Sequence, residues 1–388
     1  MCAAQHSYPL IVLEPRRAKE TEVTLPSNSR QLIEVKNFGA NPGKLKCWLY
    51  LPTILAPKTP LVVVLHGCTQ NAAAYDHGSG WSKLSEEKGF AVLFPEQQRA
   101  NNANLCFNWF EPGDTRRDQG EALAIREMIG HVIESQGIDP ERVFITGLSA
   151  GGAMANVMLA TYPELFAGGA IIGGLPYGTA SGVGQAFERM RGHNPPSESQ
   201  LQSALMSAAS SWGSWPPISV WHGTHDQTVK PINAEQIAHQ WGGMHQISAT
   251  PDLIESVNGH SRKAWLDESG KAVMEVYLIK GMAHGVPLSF AAKAPLGHSG
   301  PFMLEAGISS TTRIARTWGL ADDADVAATE AVFNPDLKHD AVPSGIENVI
   351  AKAMAYAKPG AVNNVGDRHD HGVGKVINDA LRAAGLIR

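Results

Sequence analysis

The chain has 388 residues, 43% of them apolar, and its 32 basic and 37 acidic side chains leave a net charge of −5. That length allows one large α/β core with insertions as readily as two average domains, and the scattered charges offer neither a basic face for nucleic acid nor an acidic block. No apolar run is long enough to cross a membrane, and the four dispersed cysteines (Cys2, Cys47, Cys68, Cys106) lack the paired spacing of a zinc site, so nucleic acid, membrane, metal and cofactor are not expected, while composition leaves the oligomeric state open.

The opening, MCAAQHSYPLIVLEPRRAKE, carries its arginines after a short apolar patch, the reverse of a secretory leader. Residues 1–30 therefore read as an N-terminal extension, and a literal reading keeps the chain in the cytoplasm unless a leader has been removed. Alternation at Ile33 and Val35, then at Lys46, Trp48 and Tyr50, predicts an antiparallel pair at a sheet edge, with Asn41-Pro42-Gly43 as its turn. LVVVL at 61–65 and the run at 91–94 read as strands buried on both faces. Between them residues 81–88 read as a helix stopped by Gly89. Residues 118–136 carry Ile125, Met128, Ile129, Val132 and Ile133 on one helical stripe, ended by Gly137.

Strands recur at 143–146, 169–172, 218–221 and 273–279, separated by helical or long connections. That alternation predicts a mostly parallel sheet with helices on both faces. Residues 31–320 are expected to form the catalytic domain. The connection 176–217 is longer than a crossover needs; it holds helical patterns at 183–191 and 198–210, then Trp212 and Trp215, and reads either as a lid or as a helical decoration. Beyond 320 the composition changes, with prolines at 335, 343 and 359 and a helical pattern at 375–384, so residues 321–388 read as a C-terminal helical appendage. The GDRHDHG run at 366–372 has metal-ligand residue types but reads as a solvated loop, and the GVGK at 372–375 lacks the spacing and the Ser/Thr of a phosphate loop, so neither receives a function.

The chemistry concentrates at VFITGLSAGG, residues 143–152, where a β-branched strand meets G-x-S-x-G before an Ala- and Met-rich helix from Ala150 to about residue 162. This is the pattern of a nucleophile elbow, whose glycines permit a turn tight enough to project Ser149 above the sheet. A serine hydroxyl needs a base, and the base needs an orienting carboxylate. In α/β-hydrolases the order is Ser, acid, His. Asp226 in WHGTHDQTV and His284 in KGMAHGVPL follow the strands ending at 221 and 279, which puts both on the rim that carries the elbow. His222, His225, His245 and His260 compete for the base and Asp252 for the acid. The oxyanion donors fall to the backbone N–H of Ala150 and to that of Cys68, in the His66-Gly67-Cys68 loop after the LVVVL strand. A rival arrangement, Cys68 as nucleophile with His66 as base, is sterically poor. Cys68 and Cys106 lie in loops beside this site, either bridged or as two buried thiols.

Five segments in order carry a family resemblance: LVVVLHGCTQNAAAYDHGSGW, FAVLFPEQQRANNANLCFNWF, GIDPERVFITGLSAGGAMANVMLATYPELFAGGAIIGGLPYG, WHGTHDQTV and GMAHGVPL. Over residues 45–320 the chain resembles the polyhydroxybutyrate (PHB) depolymerase family of serine esterases, close to feruloyl and acetylxylan esterases. The resemblance implies an α/β-hydrolase fold with Ser149 as nucleophile, Asp226 as acid, His284 as base, an oxyanion hole at Cys68 and Ala150, and Trp109 of CFNWF lining the substrate cleft, though that tryptophan reads equally as core. It also implies an ester substrate, chiefly poly- or oligo(3-hydroxyalkanoate), and an extracellular or periplasmic setting. The Thr-rich linker and polymer-binding module that secreted depolymerases often append are not seen, so crystalline polymer is not the expected substrate. The alternatives are a feruloyl- or acetylxylan-type carbohydrate esterase and a scaffold that binds without turnover.

Overall fold

The computed structural model describes residues 31–209 and 214–331. Trp212, the 1–30 extension, the 366–375 motifs and the 375–384 helical pattern lie outside the described residues. Strands β1 (Ile33–Val35) and β2 (Lys46–Tyr50) pair antiparallel at one edge of a ten-stranded sheet. Then come β3 (Thr59–Leu65), helices α1 (Ala72–Ser79) and α2 (Trp81–Lys88), β4 (Ala91–Glu96), α3 (Gly120–Gln136), β5 (Ile138–Leu148), α4 (Ala150–Thr161) and β6 (Gly168–Ile172). Helices α5 (Val183–Met190) and α6 (Glu198–Ala208) fill the long connection to β7 (Ile218–Gly223), and α7 (Ile232–His245) follows. Strands β8 (Leu253–Val257), β9 (His260–Leu266) and β10 (Ala272–Ile279) close the sheet, and β11 (Val286–Leu288), β12 (Met303–Glu305), α8 (Ser310–Thr317) and α9 (Asp323–Thr329) pack on it.

The sheet order is β1-β2-β4-β3-β5-β6-β7-β10-β9-β8, with the six strands from β4 to β10 mutually parallel. Both faces of β3 are covered, which is why its sequence is a continuous apolar run. Leu61, Val63 and Leu65 pack with α3, α4 and α7, whereas Val62 and Val64 pack with α1, α2 and α8. The α3 stripe behaves as its spacing requires: Ile125, Met128, Ile129 and Val132 are buried, and Gly137, at φ 65°, donates its N–H to the Ile133 carbonyl.

Two features depart from the sequence reading. Helix α1 was not anticipated in the Ala-rich stretch after Gln70, where Asn71 caps it by accepting the Ala74 N–H at 2.8 Å. Strands β8 and β9 add an antiparallel edge beyond β10, and β8 is largely exposed, so it carries little hydrophobic signature. What matters for function is the order around β3. The chain moves from β3 to β4 on one side and returns to β5 on the other, so a crevice opens at the carboxyl ends of β3 and β5.

Candidate active site

Ser149 stands in that crevice between β5 and α4, half-buried, with φ 57° and ψ −118°. A side chain is rarely tolerated in this conformation, and holding it costs about 1–3 kcal/mol. The surroundings enforce it: the Ser149 N–H donates to Ile172 O at 2.9 Å, and Ser149 O accepts from Ala153 N at 2.8 Å. Glycine is obligatory on both sides for want of room. A methyl group at Gly151 would overlap the carbonyl oxygens of Leu65 and His66, and one at Gly147 would overlap that of Gly151.

Asp226 lies in the turn after β7, 1% exposed. Its Oδ1 accepts the backbone N–H of Thr228 at 2.9 Å and of Val229 at 2.8 Å, and its Oδ2 meets His284 Nδ1 at 2.6 Å. Burial alone would raise this carboxyl, but the charge and hydrogen bonds of His284 and His222 outweigh it and hold the group well below the usual carboxylate range. An ionised carboxylate only accepts, so the proton of a neutral His284 sits on Nδ1 and leaves Nε2 as the basic atom. The ring is confined by Gly173, where a methyl group would come within 3.2 Å of Cε1, and by the Phe302 ring, edge-on with centroids 6.1 Å apart.

In the loop after β3 the Cys68 amide is unengaged. Gly67 N donates to Gln70 Oε1 at 2.9 Å and Thr69 N to Asn104 O at 2.7 Å; among the described residues no acceptor takes the Cys68 N–H between them. Ala150 opens α4, and an N–H in a first helical turn has no intrahelical acceptor. Cys68 is joined to Cys106 by a disulfide, which ties this loop to the segment carrying CFNWF and removes the thiol as a rival nucleophile. His66 is equally unavailable as a base. It is buried, its Nε2 accepts the Gln97 N–H at 3.1 Å, and its Nδ1 meets Gly67 O at 2.8 Å.

The other rivals are placed elsewhere. His225 is exposed beside Thr224 Oγ1, His245 stacks on Trp241 at the end of α7, and His260 contacts Ala306 O at 2.8 Å. Asp252 is exposed and accepts the Leu266 N–H. His222 is fully buried, with Nε2 on Val229 O at 2.8 Å. Trp109, expected to line the cleft, is only 7% exposed and stands edge-on to Phe110 within the core. The backbone N–H of the neighbouring Asn108 donates to Glu121 Oε2 at 2.8 Å.

Glu121 is the residue that sequence reasoning missed. Fully buried at the start of α3, it also accepts from Gln97 Nε2 at 2.6 Å and Asn101 Nδ2 at 3.1 Å. Gln97 Nε2 in turn reaches Cys106 O at 2.9 Å, so the carboxyl props both the disulfide segment and, through Gln97 and His66, the Cys68 loop. Burial, reinforced by the charge of Asp114, pushes Glu121 up to about 8 against these three hydrogen bonds. Its one sequence signal was an acidic residue in the first turn of a helix. Among the described residues no three His, Cys, Asp or Glu side chains group as metal ligands, and no helix is long and apolar enough to cross a membrane.

Comparison with known proteins agrees with this architecture. A family model described as Esterase PHB depolymerase matches residues 45–252. Poly(3-hydroxyalkanoate) depolymerase C of Paucimonas lemoignei is 42% identical over 74% of this chain and 70% of its own length. Feruloyl esterase B of Talaromyces funiculosus is 29% identical over 66% of this chain and 73% of its own length. Among solved structures, acetyl xylan esterase from Aspergillus awamori superimposes with a TM-score of 0.64 at 25% identity, over 75% of this chain and all of that one. With the elbow and the α/β-hydrolase sheet already described, the chain belongs to the PHB depolymerase family of esterases and is a carboxylic ester hydrolase.

Proposed function

We propose that Ser149 is the nucleophile of a polyester-type serine esterase, with His284 as general base, Asp226 as its orienting acid, and the N–H groups of Cys68 and Ala150 as the oxyanion hole. Ser149 Oγ attacks the ester carbonyl while its proton passes to His284 Nε2. The tetrahedral oxyanion collapses, the leaving alcohol takes that proton, and an acyl-enzyme remains. Water, deprotonated by the same nitrogen, then releases the acid and restores Ser149. The single observation that carries this reading is the 2.6 Å His284–Asp226 contact, on the same sheet rim as a serine at an elbow.

The preferred substrates are poly- or oligo(3-hydroxyalkanoate) esters, a reading supported by the 42% identity to the Paucimonas lemoignei depolymerase. Feruloyl and acetylxylan esterases among the relatives keep carbohydrate esters as the second reading. The described start of the 176–217 connection serves as a fixed wall rather than a swinging lid. Tyr177 N and O both bond to the Gln240 side chain, Asn156 Nδ2 holds Leu175 O at 3.0 Å, and Gly182 N reaches Phe110 O at 2.8 Å. Trp109 would touch an acyl chain only through the small edge it leaves exposed. The appendage from residue 321 begins as part of the hydrolase body, since α9 is tied by Lys88–Asp325 and Arg313–Glu330 ion pairs.

The test is ester turnover on amorphous PHB, 3-hydroxybutyrate oligomers, methyl ferulate and p-nitrophenyl butyrate, with Ser149→Ala as the blank. Release of 3-hydroxybutyrate well above ferulate is expected. Ferulate release with the polyester untouched would move the substrate to cell-wall esters, and equal rates in parent and Ser149→Ala would overturn the assignment.

A further inference from the structure

Beside the acid–base pair lies a second imidazole that the reaction scheme leaves without a part. His222 is the penultimate residue of β7, four residues before Asp226, and is 0% exposed. Its Nε2 meets Val229 O at 2.8 Å and lies 3.4 Å from Asp226 Oδ2, the same oxygen that takes His284 Nδ1 at 2.6 Å. A carbonyl and a carboxylate both accept, so the hydrogen of His222 is on Nε2 and is shared between them. Its Nδ1 is buried without a partner among the described residues, so the ring is engaged through Nε2 alone.

Two consequences follow for Asp226. The bond to Val229 O closes the turn whose amides at Thr228 and Val229 grip Oδ1, so His222 holds the turn and the turn holds the carboxylate. The same N–H also places partial positive charge beside Oδ2 and draws charge away from the His284 side. Two titratable groups face this carboxylate: His222 from β7 and His284 from the loop after β10. The other neighbours are uncharged: Leu278 pairs with His222 across the sheet, and Gly173 backs His284.

We propose that His222 is a positioning residue for ester hydrolysis, fixing the Asp226 carboxylate through its Nε2 hydrogen and tempering how strongly that carboxylate favours protonated His284. This rests on the assignment of Asp226 and His284 above. The role is assigned to the Nε2–H, on the one ring nitrogen of His222 with a partner among the described residues.

The experiment compares His222→Leu, His222→Gln and His222→Asn on p-nitrophenyl butyrate across pH, with active serines counted by stoichiometric phosphonylation. Gln can set an amide N–H near the Nε2 position, whereas Asn sets it nearer Nδ1. His222→Leu should lose about ten- to a hundredfold in kcat with KM little changed, the range typical when a partner that orients a functional side chain is removed. The acid limb of its kcat/KM profile should move to higher pH, because an undiluted Asp226 charge favours the protonated base. His222→Gln should recover most of kcat and the parent limb, and His222→Asn should not. An unmoved limb with Gln no better than Leu would reduce His222 to core filling and overturn the proposal, as would full activity in His222→Leu. If His222→Leu fails to fold, the Gln and Asn variants decide alone, and equal rates in those two contradict it. Failure of the underlying assignment would show separately, as ester turnover that survives Ser149→Ala.

Discussion

Two buried carboxylates flank the crevice and behave in opposite ways. Asp226 and Glu121 are 1% and 0% exposed, and each accepts at least three hydrogen bonds from groups fixed by the fold. Asp226 faces two imidazoles able to carry positive charge and is driven below the ordinary range; Glu121 faces neutral amides and the anionic Asp114, and is pushed up to about 8. The number of hydrogen bonds therefore does not set the charge state of a buried acid. A partner that can become a cation does. Under the proposed assignment the ionised group would orient the base, while the largely uncharged one holds Gln97 and, through it, the Cys106 segment.

The sharpest break in this contrast is Asp226→Asn, which keeps the shape and removes the charge. Its amide can present N–H to His284 Nδ1 and so select the wrong tautomer. Activity should fall by about 10⁴-fold, as read by steady-state kinetics on variant protein that circular dichroism shows to be folded; a loss below about tenfold would deny Asp226 its role.

Cys106→Ser tests the other side by cutting the tether across a sequence separation of 38 residues. Denaturant titration should register about 2–4 kcal/mol less stability. Turnover should drop by about tenfold or more, toward the hundredfold that loss of an oxyanion donor costs. Unchanged kcat would mean that the Cys68 amide is held without the disulfide.

The smallest effect belongs to Glu121→Gln, measured as stability against pH. Because burial raises the carboxyl of Glu121 in the folded chain, its contribution is complete below about pH 4.5 and is lost as pH rises through about 8. The parent should therefore lose stability across that window, by at most about 1.4 kcal/mol per pH unit. The glutamine variant, neutral throughout, should lack that slope. Parallel curves for the two proteins would mean that Glu121 is ionised in the fold.

How much of this was legible in the sequence depended on how local the cause was. The β3 strand, the α3 stripe and the glycine-flanked elbow each announce themselves within a few residues, because burial on two faces, helical periodicity and a tight turn are local patterns. The order of Ser149, Asp226 and His284 was readable because each follows a recognisable strand. Glu121 was not: its partners at 97, 101 and 108 are brought to it by the fold, and nothing in a helix beginning GEALAI signals a buried acid. The coupling of His222 to Asp226 was hidden for another reason. The spacing put His222 among competitors for the base, while its actual partners, Val229 O and Asp226 Oδ2, are brought to its Nε2 by the turn after β7. For Trp109 the resemblance pointed to the cleft and the residues alone left the core equally open; it is 7% exposed, edge-on to Phe110.

The central claim, that Ser149 is the nucleophile activated by the His284–Asp226 pair, is tested most directly by mass spectrometry after diethyl p-nitrophenyl phosphate treatment. One phosphoryl group per chain on the peptide containing Ser149 is predicted, released with one equivalent of p-nitrophenol, absent in Ser149→Ala and strongly slowed in Asp226→Asn. Labelling at another residue, or labelling of Ser149 at the same rate in Asp226→Asn, would contradict it.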